Sequence, residues 1–234
     1  MSTLNNIVKE TTMPASGNPP GRRERAKQDK RGRIMNAARE LFAERGVSAV
    51  TTQQIADRAD VAIGTLYLYA STKAELLIMV QNEKFAAAID DGLQTASTVV
   101  GQGALKEVIA VVRPVVACLR EQVENGRTYL HELVFGDPAE PNRREGLTIA
   151  GRLEDGIALL IARCASTDPA DAVTLARVVI AVIHVSTTAT IYLPSSDEDV
   201  LANISAQVQA MLAPRQLPPS HPSIPLNPQR KRIP

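Results

Sequence analysis

Tryptophan is absent from this chain of 234 residues and aromatic residues make up only 3% of it, so any core must be packed from aliphatic side chains. At 44% apolar content there are enough of them for one large domain or two ordinary ones, and a supply rich in Ala, Val, Leu and Ile suits packed helices. Reactive side chains are scarce as well. Only three histidines and two cysteines are present. Cys118 and Cys164 lie inside apolar helical patterns with no CxxC or Cys/His ligand spacing, and read as buried thiols in a reducing cytoplasm. Without a nucleophile elbow, a phosphate loop or a metal-ligand spacing, the chain offers no catalytic constellation, and neither cofactor nor metal is expected. Long apolar runs are missing too. Residues 1–20 are polar and proline-containing, unlike a signal peptide. The most hydrophobic stretch, 175–193, is interrupted by Arg177, His184 and several hydroxyls, which falls short of the ~20 apolar residues of a membrane span. The expectation is a soluble cytoplasmic protein without a membrane partner.

What the chain does hold is unevenly spread. Its formal net charge is only +1, yet residues 22–84 carry 12 Lys and Arg against 8 Asp and Glu, while residues 85–213 carry 9 against 16. A basic front on an acidic body is the footprint of a polyanion-binding module joined to a domain that does not bind the polyanion. Proline marks both ends, with Pro14, Pro19 and Pro20 in front and seven prolines from Pro214 to Pro234 behind. Residues 1–21 are therefore expected to be a disordered arm and 214–234 a disordered tail closed by Arg230, Lys231 and Arg232.

Between those ends the apolar spacing is helical, and the reading is all-α with about nine helices. Ile34, Ala38, Leu41 and Phe42 recur at i, i+4, i+7 and i+8, with Gly46 as a stop. Thr51 with Gln54 forms a capping-box signature before Ile55, Ala56 and Ala59. Asp60, Val61 and Ala62 leave room for a tight turn, a second short helix is expected over 63–69, and Thr72 with Glu75 opens a long helix toward Ser97. Further helices are expected over 104–124 (with a kink at Pro114), 127–135, 142–165, 169–193 and 197–212. Two short helices joined by a three-residue turn, with a supporting helix before and a capped one after, make a helix-turn-helix unit. Gly64 removes a side chain where the backbone must approach something closely.

The residues Ile34, Ala37-Ala38, Leu41-Phe42, Gly46, Thr51, Ile55-Ala56, Ala59, Val61, Gly64-Thr65-Leu66-Tyr67, Tyr69, Lys73 and Leu76 follow, without a gap, the pattern of the TetR family of bacterial regulators, which the chain resembles over about residues 28–88. The resemblance implies a DNA-binding domain over 22–88 and a helical effector-binding and dimerisation domain over 89–213. It implies that Thr65, Tyr67 and Tyr69 project from the recognition helix toward bases and phosphates, while Thr52, Gln53 and Lys73 meet the sugar-phosphate backbone. Leu66 faces Ile55 and reads as core. The chain departs from the pattern at Ala62, which lacks the usual hydroxyl cap, and at Ile63 and Ala70. The basic residues Arg22, Arg23, Arg25, Lys27, Lys30, Arg31 and Arg33 are placed to reach a minor groove or flanking phosphates.

By the same resemblance the protein is a transcription regulator, commonly a repressor, released from a palindromic double-stranded DNA operator by an unidentified small-molecule effector. It would be a homodimer joined through the helices 169–193 and 197–212. Polar residues stranded in apolar helices are the sequence's clues to a ligand pocket: Cys118, Tyr129, His131, His184, Thr187 and Thr188, with Glu132 and Tyr192 beside them. Two other readings stay open: a DNA-binding protein of this fold without an effector, which predicts a filled body, and an enzyme, for which turnover would have to be found.

Overall fold

The structure, a computed structural model, describes residues 21–165 and 167–213. The expected arm before Gly21, the proline-rich tail and the side chain of Cys164 lie outside the described residues. Every regular element described is helical: α1 (Arg22–Arg45), α2 (Thr52–Arg58), α3 (Ile63–Leu66), α4 (Lys73–Thr98), α5 (Ala104–Arg120), α6 (Val123–Phe135), α7 (Pro141–Ala165), α8 (Pro169–Thr188) and α9 (Asp197–Leu212), with one 3-10 turn over Thr190–Tyr192. The Val-rich run of 178–185 is thus helix. The chain divides between Leu76 and Leu77 into two compact units. Both this division and the boundary expected at 88 fall inside α4.

In the N-terminal unit, α1 buries Ile34, Met35, Ala37, Ala38, Leu41 and Phe42 and packs on α2, where Ile55 and Ala56 are buried with Ala59 behind them, while α3, with Leu66 buried, packs on α2. Small Ala56 and Ala59 let the helices cross closely. Helix α2 opens on the expected reciprocal cap: Thr51 Oγ1 accepts from the Gln54 amide at 3.2 Å and the Gln54 side chain accepts from the Thr51 amide at 2.9 Å. The turn behind α2 is a Schellman motif, in which Val61 N–H donates to Ala56 O and Asp60 N–H to Asp57 O, with Asp60 at φ 51°. At Thr72 the hydroxyl accepts from Glu75 N–H as expected, but the Glu75 carboxylate reaches back one residue further, to the Ser71 amide at 2.7 Å.

The C-terminal unit is built around α5, whose Val108, Val111, Val112, Val115, Val116 and Leu119 are buried among α6, α7, α8 and α9. Pro114 is accommodated inside α5. Helix α9 lays Val200, Leu201, Ile204 and Val208 into this core, so the stripe read from its sequence is spent within the unit. Two buried polar links pin the periphery. Arg120, nearly enclosed, donates to Asp197 at 2.6 Å and to the Ser195 carbonyl at 2.7 Å, holding the α8–α9 connection. Glu107, fully buried, pairs with Arg163 and accepts from the Gly101 amide, which is the pairing a buried carboxylate needs.

Four element boundaries differ from the sequence reading by more than a residue. The helix expected over 104–124 ends at Arg120, and residues 121–122 turn the chain into the next helix. Helix α6 begins at Val123 rather than 127, because Gly126 is not a break but lies within α6, against the Leu119 carbonyl. The helix expected over 169–193 ends at Thr188, where Ala189 turns extended. The short helix of 63–69 is regular only through Leu66 and finishes in i→i+3 turns from Leu68 to Thr65 and Tyr69 to Leu66. An uncapped start at Ala62 and a glycine in the second position give it little helical propensity of its own.

Candidate nucleic-acid interface and ligand pockets

The recognition segment 63–69 is anchored by one residue and presents the rest. Leu66 is fully buried, whereas Tyr67 is half exposed and Leu68 is 83% exposed. Tyr67 and Thr52 share a hydrogen bond between their hydroxyls at 3.2 Å, which joins the recognition segment to the first turn of α2. The Gln53 side-chain amide, one position on, donates to Asp57 at 2.7 Å and stays exposed. Gly64 faces open space, since a Cβ added there would meet nothing within 4 Å. Thr65 is partly exposed on the same segment.

The other two predicted contacts are held by the protein. Tyr69, partly buried, donates its hydroxyl to the Lys27 carbonyl at 3.1 Å and so braces the end of the segment against α1. Lys73 donates from Nζ to the Val50 carbonyl at 2.9 Å, tying the head of α4 to the α1–α2 loop. Arg33 does similar work at the turn, donating to the Ala59 and Asp60 carbonyls at 2.9 and 3.1 Å. The basic stretch, read from sequence as an arm, is the helical first half of α1, exposed on every side from Arg22 to Gly32. On helical spacing Arg23, Lys27, Lys30 and Arg31 continue the face that Ile34 and Ala38 bury further on. Leu68 was not singled out from sequence; an apolar side chain so exposed beside Tyr67 suits contact with a thymine methyl.

The predicted pocket residues do not gather in one place. His131, His184 and Thr188 line a cavity of about 370 Å³ between α6 and α8, with Arg127, Thr128 and Phe135. His131 is exposed, tilted against Phe135 and 3.8 Å from Glu132. Partial burial lowers the His184 pKa, since the charged ring loses hydration. Tyr129 is instead core: fully buried, edge-on to Phe85, it donates to Asn82, which donates in turn to the Asn142 carbonyl at 2.8 Å. Burial pushes its pKa far up. Thr187 is buried and bonds the Ile183 carbonyl, and Thr188 bonds that of His184. Cys118 is raised to about 11 by burial, which keeps it a thiol. Glu132 and Tyr192 contribute carbonyls to Arg143 and Arg120. A second cavity, of about 440 Å³, lies among α4, α5 and α9 and is lined by Lys106 and Arg113, which sequence reasoning passed over.

A short helix anchored by one leucine, presenting its polar outer residues beside an exposed basic helix, defines a helix-turn-helix DNA-binding unit carried on a larger helical body. The comparisons with known proteins make the class specific. Residues 34–80 match the family model described as bacterial regulatory proteins, tetR family. It is 39% identical over 61 residues to the HTH-type transcriptional repressor KstR of Mycobacterium tuberculosis and 42% identical over 67 residues to the HTH-type transcriptional activator FasR of Mycolicibacterium smegmatis. The match spans 26% of this chain and 28% of KstR, and 29% and 30% for FasR. The fold extends further: the crystal structure of Thermus thermophilus FadR, a TetR-family repressor in complex with lauroyl-CoA, superposes with a TM-score of 0.61 at 22% identity, covering 82% of this chain and 98% of that one.

Proposed function

We propose that the chain is a sequence-specific DNA-binding transcription regulator, a repressor that sits as a homodimer on a palindromic operator and leaves it when a small molecule binds the helical body. The observation that carries the reading is the outward face of 63–69, with Tyr67 joined to Thr52, Gly64 open and Leu68 exposed, beside the exposed basic first half of α1. Thr52, Gln53 and Lys73 are assigned to the phosphate backbone, Thr65 and Tyr67 to the groove, and Tyr69 to phosphates from its brace on α1. The repressor KstR supports repression, and the lauroyl-CoA of the FadR structure supports an effector in the body. No reaction is assigned to the chain.

Dimerisation has its own support. Helix α8 packs with α7 and turns Thr174, Val178, Ala181 and Val185 outward at spacings of four, three and four, an unpaired apolar seam. Leu159 of α7 is also exposed. Helix α8 is long and apolar enough to cross a membrane by length and composition, but a seam on one side only is what a second copy of the chain would cover, and we assign the protein to the cytoplasm with the chromosome. Helix α4 belongs to both units. An effector that changes its pose would alter the separation of the two recognition segments, which the operator fixes, and linkage then requires operator and effector to weaken each other by one factor, typically ~5 to 150-fold.

The test is to sequence genomic fragments retained by the purified protein at physiological salt. The reading expects a shared inverted repeat with half-sites about one duplex turn apart; fragments with no common sequence would overturn it.

A further inference from the structure

In the acidic stretch of residues 85–213, most cations are spoken for. Arg120 pairs with Asp197, Arg163 with Glu107, Arg152 with Asp90 and Arg177 with Glu154, while Arg143 and Arg144 hold main-chain carbonyls. Lys106, Arg113 and Arg127 have no such partner among the described residues; Arg127 lies alone on the 370 Å³ cavity, whereas Lys106 and Arg113 together line the 440 Å³ one. Seven residues apart on α5, they project from one face about 10 Å from each other. The wall between them is apolar, formed by Ile109 and Ala110 and met by Val99, just beyond the end of α4. Asp91, also on the wall, forms no ion pair with either cation.

A slot of this size is within the range of small-molecule sites. Two uncompensated cations at its edge, in a unit whose other charges are mostly negative or neutralised, give it a local positive potential that a neutral ligand would not use and a cationic one would oppose. The apolar wall asks for a hydrocarbon chain, and the cations for an acidic head. We infer that this cavity is the effector site and that it takes a single-chain amphiphile with an anionic head, either carboxylate or phosphate. The chain lies along Val99, Ile109 and Ala110, and the head is held by Lys106 and Arg113. The inference rests on the reading of the body as an effector-binding unit, and Asp91, Thr95 and Val99 place the ligand against α4.

Calorimetric titration of the full chain with laurate, lauroyl-CoA and uncharged dodecanol, each below its aggregation concentration, tests it. An anionic amphiphile is expected to bind at least about tenfold more tightly than dodecanol, and the Lys106→Gln/Arg113→Gln variant to lose about tenfold in affinity together with most of its salt dependence. Helicity and DNA retention should be unchanged in that variant, because both side chains are exposed and outside the DNA-binding unit. Ala110→Leu, which narrows the slot without touching charge, should weaken both anionic ligands. Tighter lauroyl-CoA assigns the head to phosphate, and equal or tighter laurate assigns it to carboxylate. Dodecanol binding as well as the anions, or a double variant that binds them undiminished, would overturn the site. An amphiphile that binds but never alters DNA retention would uphold the cavity and remove the regulatory reading. A different ligand that releases DNA equally from wild type and variants would uphold regulation and remove the cavity.

Discussion

The two units spend the same kinds of side chain in opposite ways. In the first, Arg22, Arg23, Lys27, Lys30 and Arg31 stand exposed on three turns of helix that bury nothing. In the second, four arginines are tied to carboxylates, and the conspicuous exposure is apolar, along α8. On the proposed function, charge left unspent is kept for a polyanion in the first unit, and apolar surface for a second copy of the chain in the second. The contrast also separates affinity from specificity. On that reading the α1 cations meet the phosphate backbone of any duplex, whereas residues 63–69 read base edges.

The comparison breaks most readily at α1. Replacing Arg23, Lys27, Lys30 and Arg31 by Gln should lower DNA affinity by roughly two orders of magnitude at physiological salt. The slope of log K against log salt should flatten by about 0.9 for each phosphate that is no longer neutralised. Replacing Arg152 and Arg177 in the second unit should change neither quantity. If both quadruple and double variants behave alike, the basic helix is only a solvated extension.

Packing gives the next largest effects. Leu66→Ala, at a fully buried position, should cost about 2 to 5 kcal/mol in denaturant unfolding and lose DNA binding as a consequence. Its counterpart in the second unit is Gly92→Ala. A Cβ there would stand 2.7 Å from the Val111 carbonyl, a main-chain atom that cannot step aside, so α4 and α5 must part at a cost of about 1 to 3 kcal/mol. Leu66→Ala should leave association of the second unit intact, and an unchanged unfolding midpoint for either variant would contradict the packing described.

A smaller effect runs the other way. Asp60 occupies the left-handed position of the Schellman turn at φ 51°, where glycine is the preferred residue, and its contact with Arg33 is exposed. Asp60→Gly should therefore stabilise by about 0.5 kcal/mol, whereas Asp60→Val should destabilise by about 1 to 2 kcal/mol.

Smallest is a pH effect. The His184 pKa lies below its ordinary 6.5 because burial disfavours the charged ring. Its contribution to stability is complete above pH 6.5 and drains as pH falls toward the folded value. His184→Gln should remove that part of the loss between pH 7.5 and 5.5, measured by thermal unfolding. A variant that loses as much as wild type would assign the decline elsewhere.

Much of the first unit was legible because its rules are local. The Thr51/Gln54 cap, the turn at Asp60 and the stripe of Ile34, Ala38, Leu41 and Phe42 each follow from spacing alone. The helical state of residues 22–32 was not legible, since a helix without an apolar face leaves no periodic signal. In the second unit the helices could be read, but Gly126 looked like a break while serving a close helix contact. Tyr129 illustrates the limit for sites: a tyrosine satisfied by Asn82 and one that meets a ligand look identical in sequence. Lys106 and Arg113 were missed for the opposite reason, as exposed cations on an amphipathic helix resemble any solvated face until their missing partners can be seen.

The division between affinity and base reading is tested most directly by measuring association constants for the enriched fragment and for random duplex across a salt series, with wild type and Tyr67→Ala. Tyr67 is half exposed and, among the described residues, its side chain bonds Thr52 alone, so the variant should fold as wild type does. For wild type the account predicts two steep lines separated by about 10³ or more. For Tyr67→Ala it predicts that the gap shrinks by about tenfold or more while the slope for random duplex stays the same. An undiminished gap, or a slope that falls with the gap, would contradict it.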